Sequence, residues 1–337
     1  VVDRGRNRIL AIADVKGHFI IHGYGLVRNK FTRNMGYIID GLLRRADVGV
    51  YDQGGTGRGA RTGGGGLTYH TDCSSCDSGP PFFIVFGVST TTPTVTDNNL
   101  ASLTDWLNIS IFDVVEETSQ TSLVLAGRWA PTSSKTLYEV GLLLETSNQY
   151  HYRTLLARTV ISGGVSKSAF TLYLDGYRLT FPSTFTKWFV RALFSCMMGL
   201  RCVQWMSLPV RDVTGAWFTT RSADTFAGSP DVMIGSDNSP ASPDQYNLLS
   251  PITSLASQAQ AVEVDTTLQE VRVVRYGTYT PSSNVTLGEV GLFTNLYVYD
   301  GTTVVSKKVL VSRVPLDTPV TLSAGTTYTI GIVLRFA

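Results

Sequence analysis

The sequence predicts an all-β fold: two tandem antiparallel β-sandwich domains, jelly-roll-like or Ig-like, each preceded by one short amphipathic helix. Three observations predict it. The chain repeats itself at domain length, each repeat is a series of short alternating apolar segments broken by Gly, Pro, Asn and Ser, and one stretch with helical spacing opens each repeat.

The repeat is direct. Glu139-Val140-Gly141-Leu142 returns as Glu289-Val290-Gly291-Leu292 at a shift of 150 residues, with Gly127/Gly277, Pro131/Pro281 and Leu137/Leu287 in the same register. Ser168 to Phe181 returns as Ser323 to Phe336 at a shift of 155, which implies a five-residue loop insertion between the two blocks. A period of this size is a domain and not a solenoid unit. The expected organisation is an N-terminal basic arm over residues 1–30, a first helix plus sandwich over 31–183 and a second over 184–337.

The elements follow in order. Ile9 to Ile12 and His18 to Ile21 read as extended segments of an arm without a counterpart in the second unit. Such a strand either lies on a neighbour's sheet edge or closes its own sheet. Phe31, Met35, Ile38 and Leu42, and again Phe185, Phe189, Ala192 and Cys196, form one apolar stripe per helix. Strands are expected at Val48 to Tyr51, Phe82 to Val88, Leu107 to Phe112, Leu123 to Trp129, Tyr138 to Leu144, Leu155 to Ile161 and Phe170 to Phe181, with partners in the second copy. The glycine inside each Glu-Val-Gly-Leu segment, Gly141 and Gly291, marks a bulge or a close backbone approach.

Composition favours assembly over solution chemistry. Charged residues are 16% of 337, against roughly 25% in an ordinary soluble domain, so much of the surface is neutral. A Ser/Thr-rich secreted β-protein has a similar composition. Residues 1–61 carry a net charge of +6 and the remainder −4, so the basic N-terminal region could face nucleic acid, an acidic neighbouring subunit or solvent. The most apolar stretch, Ala192 to Leu200, is fenced by Arg191 and Arg201 and too short to span a membrane. Val1 in place of Met is consistent with removal of an initiator, a signal peptide or a longer leader.

Candidate chemistry is sparse. His70, Cys73 and Cys76 offer three close metal ligands where structural zinc takes four, so the cysteines read as a local disulfide or as thiols. Cys196 and Cys202 read as core. The Gly-rich tract from Gln53 to Gly66 is not followed by a helix or a Walker lysine and reads as a flexible loop, replaced in the second copy by Thr219 to Asp231. Asn108-Ile109-Ser110 and Asn284-Val285-Thr286 match the glycosylation pattern at chance level. Trp106, Trp129, Trp188, Trp205 and Trp217 read mostly as core. All four histidines, His18, His22, His70 and His151, fall in the first half. The charged pairs kept in both copies are Glu139 with Arg158 and Glu289 with Arg313, expected to bridge neighbouring strands of an antiparallel meander. No catalytic constellation, cofactor site or metal site is predicted.

One resemblance adds to this reading. Gly87, Pro93, Asp97 and Leu100, again Gly235, Pro240, Asp244 and Leu248, then Glu-Val-Gly-Leu, a Leu-Ala-Arg or Val-Ser-Arg strand and a closing Ser-Ala strand resemble the β-sandwich modules of virion structural proteins. Such modules occur in coat, tail and fibre components of tailed phages and archaeal viruses. The resemblance implies a non-enzymatic subunit of a virus particle that assembles with copies of itself and other virion proteins into a shell, tube or fibre. Two alternatives stand beside it: an extracellular filament or surface-layer subunit that donates strands, and a glycan-binding tail protein.

Overall fold

A computed structural model of the chain describes residues 2–3, 7–46, 48–60, 82–145, 153–197, 208–220, 225–226, 228, 230–299 and 302–337. The chain opens with β1 (Val2–Asp3), β2 (Arg8–Ile21), β3 (Gly25–Arg28) and β4 (Lys30–Phe31), then α1 (Arg33–Arg44). The first copy continues through the hairpin β5 (Val48–Tyr51) and β6 (Gly57–Ala60), then β7 (Phe82–Gly87), β8 (Leu103–Asn108), β9 (Ile111–Glu117), β10 (Gln120–Trp129), β11 (Lys135–Glu145), β12 (Arg153–Lys167) and β13 (Tyr173–Pro182). The second copy runs through α2 (Lys187–Met197), the hairpin β14 (Leu208–Arg211) and β15 (Trp217–Thr220), then β16 (Thr225–Phe226), β17 (Asp231–Gly235) and β18 (Pro251–Ser254). It closes with β19 (Ala256–Asp265), β20 (Glu270–Tyr279), β21 (Val285–Tyr299), β22 (Val304–Leu322) and β23 (Tyr328–Phe336).

These strands build an all-β, sandwich-type fold. One layer is a nine-stranded sheet whose main path is β19-β20-β23-β2-β13-β10-β9. The other consists of two five-stranded sheets, β4-β12-β11-β7-β8 from the first copy and one built on β16-β21-β17-β18 from the second, with β22 also paired to β21. Phe82, Leu142 and Leu156 from one layer meet Leu123, Leu125 and Leu179 from the other, with Met35 of α1 and Phe194 of α2 between them. One hydrophobic cluster runs through both copies, so the two apolar faces are covered together.

The arm is where the copies join. In β2 the odd residues Ile9, Ala11, Ala13, Val15, Phe19 and Ile21 are buried, the period of a strand with one face on the core. Arg8 to Val15 run parallel to Thr329 to Phe336 of β23, and Lys16 to Ile20 run antiparallel to Thr180 to Gly176 of β13. A strand already held by both copies of its own chain closes its own sheet and is not donated to a neighbour. Gly17 shows how tightly it is seated: a Cβ there would lie 2.0 Å from Asn29 Oδ1 and 2.2 Å from the Tyr177 hydroxyl. Burial pushes that phenol well above the usual tyrosine range.

Each helix bridges the copies, packing on strands of its own copy, α1 on β5 and β12 and α2 on β14 and β22, as well as on the other. α1 packs against β19 and β20 of the second copy, and α2 packs against β9 and β10 of the first. Gly36 permits the first contact, since a Cβ there would come within 2.3 Å of Val271. Lys187 and Arg191 of α2 pair with Glu116 of β9 at 3.5 Å and 2.5 Å.

Several sequence expectations need correction. Phe31 lies in β4 and Phe185 in an isolated bridge to Ser312, so each stripe begins one step before its helix. The expected Leu107 to Phe112 strand is the end of β8, a corner at Ile109 and Ser110, and the start of β9. The inferred five-residue loop insertion lengthens strands instead: β21 and β22 stay paired out to Tyr299 and Val304, and β16 adds to that extension. Gly57 to Ala60 of the glycine tract form β6, and their counterpart is β15, not Thr219 to Asp231. Residues 61–81 and His151, Cys202 and Trp205 lie outside the described residues.

Because β2 is shared, removing residues 1–30 is expected to abolish cooperative unfolding in a thermal circular-dichroism melt. A truncated chain that still melts in one sharp transition contradicts this placement.

Candidate functional site

The repeated glutamate–arginine pair is a buried clamp on a long loop. Glu139 sits on β11 and Arg158 on β12, adjacent antiparallel strands in which Arg158 faces Gly141 across the ladder. Arg158 donates from Nε to Glu139 at 3.0 Å, to Asp97 at 2.6 Å and to the Thr91 carbonyl at 3.0 Å. Glu139 in turn accepts from the backbone N–H groups of Ala101 and Ser102 at 3.1 Å and 2.7 Å. The pair therefore ties both ends of the β7–β8 loop to the sheet. Both side chains are buried, a costly placement tolerated here because every charge has partners.

The second copy rebuilds the clamp. Arg313 donates to Glu289, to Asp237 at 2.8 Å and to the Ser239 carbonyl at 2.9 Å. Glu289 accepts from Leu249 and Ser250 N–H at 3.3 Å and 2.8 Å. The glycines follow from this geometry. A Cβ at Gly87 or Gly235 would lie 2.4 Å or 2.3 Å from the clamping carboxylate, and one at Gly141 or Gly291 would press on Leu100 or Leu248. Thus the Gly, Leu and Glu-Val-Gly-Leu positions of the motif are one packed unit. Asp97 is different: its structural counterpart is Gln245, not Asp244. Both accept from a backbone N–H three residues earlier, at Thr94 and Ser242, while the second carboxylate on the arginine comes from Asp237.

A second buried network belongs to the first copy alone. Lys167 Nζ lies 3.0 Å from Asp175, both fully buried. Asp175 also accepts from Trp129 Nε1 at 2.5 Å and from the His22 backbone N–H at 2.7 Å. This pins the end of β2 to β13. The equivalent residues in the second copy are Leu322 and Ile330, so the pair is exchanged for apolar packing as a unit.

The hairpins repeat as well, at a shift of 160 that lies outside the 150 and 155 registers of the other blocks. Asp52 Oδ1 accepts from Gly54 and Thr56 N–H, and Asp212 Oδ1 from Thr214 and Ala216 N–H. Burial works against charge on both carboxyls, but Arg58 and the Thr56 N–H beside Asp52, and Thr214 and Ala216 beside Asp212, outweigh it. They hold both below the usual carboxylate range.

The turn after β12 departs from the repeat. Ser168 N–H donates to the Tyr173 hydroxyl and Phe170 N–H to the Pro131 carbonyl, as Ser323 and Gly325 do toward Tyr328 and Pro281. The turn demands a left-handed residue. The second copy supplies Gly325 at φ +73°, the first supplies Phe170 at φ +57°, which costs a bulky residue about 1–2 kcal/mol. Phe170 is also 83% exposed.

The remaining expectations find these places. Trp129 and Trp188 are buried and Trp106 half-buried, but Trp217 is 55% exposed, with the Arg211 guanidinium 4.4 Å from its ring centre. That arginine covers a face a sugar ring would need. The basic residues near the N-terminus are dispersed: Arg33 stacks on Tyr51, Arg44 pairs with Asp40 and Arg58 with Asp52. Among the described residues no three His, Cys, Asp or Glu side chains converge on a metal position, and no helix is long and apolar enough to cross a membrane. Cys196 is buried in the α2 stripe. His70, Cys73 and Cys76 lie outside the described residues.

No protein-family profile matches the chain, and no curated protein matches it. Among solved structures it shares 10% identity and a TM-score of 0.14 with a 2'-deoxycytidine 5'-triphosphate deaminase from Agrobacterium tumefaciens, over 80% of this chain and 92% of that one. A likeness that weak carries no argument.

Two measurements check these assignments. Lys167→Leu alone is expected to cost about 3–5 kcal/mol in urea unfolding, because it strands a buried carboxylate, and adding Asp175→Ile is expected to recover part of it. Equal losses in the single and double variants contradict the network. For the hairpins, a depressed folded pKa gives stability that is full above the unfolded value near 4 and is lost as pH falls through the folded value. Stability should therefore drop on the acid side, and Asp52→Asn with Asp212→Asn should flatten that limb. An unaltered acid limb in the double variant rejects the assignment.

Proposed function

We propose that the chain is a structural subunit of a virus particle, assembling with copies of itself into a shell, tube or fibre. The observation that carries this reading is what both copies keep: the Glu139–Arg158 and Glu289–Arg313 clamps, with the glycines and leucines that seat them. These residues fix loops on a rigid scaffold. Retaining them twice favours selection for shape, and the low charge of 16% suits surfaces that neighbours cover.

Contacts between subunits are expected through faces and loops. The two ends of the nine-stranded sheet are β9, with Asp113, Glu116 and Glu117, and β19, with Glu263 and Asp265. Glu116, Glu117 and Asp265 are paired with cations, but exposed Asp113 on one edge and Glu263 on the other still disfavour edge-to-edge pairing. Together with the internal seat of β2, this argues against the strand-donating filament reading, and the Arg211 cover on Trp217 argues against a glycan platform.

Electron microscopy of the purified full-length chain across a concentration series tests the reading. Ordered helical or icosahedral particles, decorated by an antibody raised against the chain and matching decoration on native virus, are the expected result. A monomer at every concentration contradicts it.

A further inference from the structure

Five exposed apolar side chains gather at one end of the first copy. Phe170, Leu172 and Leu174, on the β12–β13 turn and the start of β13, are 83%, 62% and 45% exposed, and Tyr24 and Leu26 of the β2–β3 hairpin are 42% and 59% exposed. The two groups adjoin. Lys167 Nζ lies 3.2 Å from the His22 carbonyl, the His22 ring packs 5.6 Å from that of Tyr173, and the Tyr24 hydroxyl donates to the Ser162 carbonyl at 3.0 Å. The fold does not require this apolar turn, since the second copy makes the same one with Gly325, Thr327 and Thr329.

The charge around this end has one sign. The segments that form it, residues 18–30, 126–138 and 159–174, contain no Asp or Glu. Arg128 stands directly opposite Leu174 across the β10–β13 ladder, and Arg28 lies two residues from Leu26 on the same face of β3. Both arginines are exposed, and among the described residues neither has an acidic partner. Asp105 and Asp175 are already paired with Lys135 and Lys167. The tip also needs nothing from a partner's backbone. Ser168 N–H donates to the Tyr173 hydroxyl, Ala169 to Ser134 Oγ, Phe170 to the Pro131 carbonyl and Thr171 to the Ser168 carbonyl. A turn built so can leave water without stranding a donor.

We propose that this end of the first copy docks on an anionic lipid surface. Phe170, Leu172 and Leu174 enter the boundary between headgroups and acyl chains, Tyr24 lies at the interface, and Arg28 and Arg128 meet lipid phosphates. Apolar insertion and attraction to anionic lipid together are the two signals that stable peripheral binding takes. Lipid is the occupant because the face carries both and its turn asks for no backbone hydrogen bond. A second copy docked through the same face would set Arg28 and Arg128 against their own like charges. The docking goes beyond particle assembly, and its failure leaves that reading untouched.

Co-sedimentation of the full-length chain with lipid vesicles tests this. The expected result is binding to phosphatidylcholine vesicles containing about one quarter phosphatidylserine, and much weaker binding to phosphatidylcholine alone. A variant combining Phe170→Gly, Leu172→Thr and Leu174→Thr takes the second copy's residues. Its melting temperature should hold or rise as the left-handed strain is relieved, while its vesicle binding falls about 100-fold or more. Arg28→Ala and Arg128→Ala should each weaken binding to the anionic vesicles about 5-fold at low salt and leave binding to the neutral ones unchanged. Wild-type chain that stays in the supernatant with anionic vesicles overturns the proposal, as does a folded triple variant that sediments with them like the wild type. Wild-type oligomers that the triple variant breaks up without lipid also overturn it, assigning these side chains to a protein contact.

Discussion

Everything in this molecule depends on β2 pairing with both copies at once. A strand that is parallel to the last strand of the chain and antiparallel to the last strand of the first copy turns two sheets into one. Backbone hydrogen bonds on opposite edges are satisfied by different halves, so neither half can leave without exposing a row of unpaired polar groups. The helices act in the same sense, each packing against strands of both copies. The two halves thus form one interlocked body around a shared main core.

Within that body, buried charge is used for geometry. Each Glu–Arg clamp fastens a long loop to the sheet by backbone groups at both ends, and the glycines around it exist to let the carboxylate and the neighbouring leucine approach. The Lys167–Asp175 pair shows that the fold does not need charge everywhere, since the second copy fills the same space with Leu322 and Ile330. A buried pair and an apolar replacement of like volume are close in stability, so the pair's distinctive effect is to fix where β2 ends against β13.

Much of this was legible in the chain. The alternation of the strands and the Glu139 and Arg158 repeat placed strands and the charged pair, because these signals are local or repeated, but not the pair's grip on the β7–β8 loop. The seat of β2 was not, since a strand with one apolar face reads alike whether its partner is its own chain or a neighbour. The hairpin repeat escaped because Gly-Gly-Thr-Gly and Thr-Gly-Ala-Trp share little beyond an aspartate and a glycine, while their backbone turns agree. The Lys167–Asp175 network had left a signal that was readable: two charges lost together between aligned positions. Phe170 opposite Gly325 was another, a bulky residue where the repeat asks for a left-handed one.

Rigidity through a shared strand is the property on which the proposed role in building particles rests, because interfaces formed by fixed loops add without loss to internal flexing. Native-state hydrogen exchange resolved by residue measures that property directly. The amides of β2, β13 and β23 are expected to exchange only through one common, global opening. Exchange from β23 through a separate, lower-energy opening that leaves β13 protected would mean the halves are independent domains, and would contradict the account.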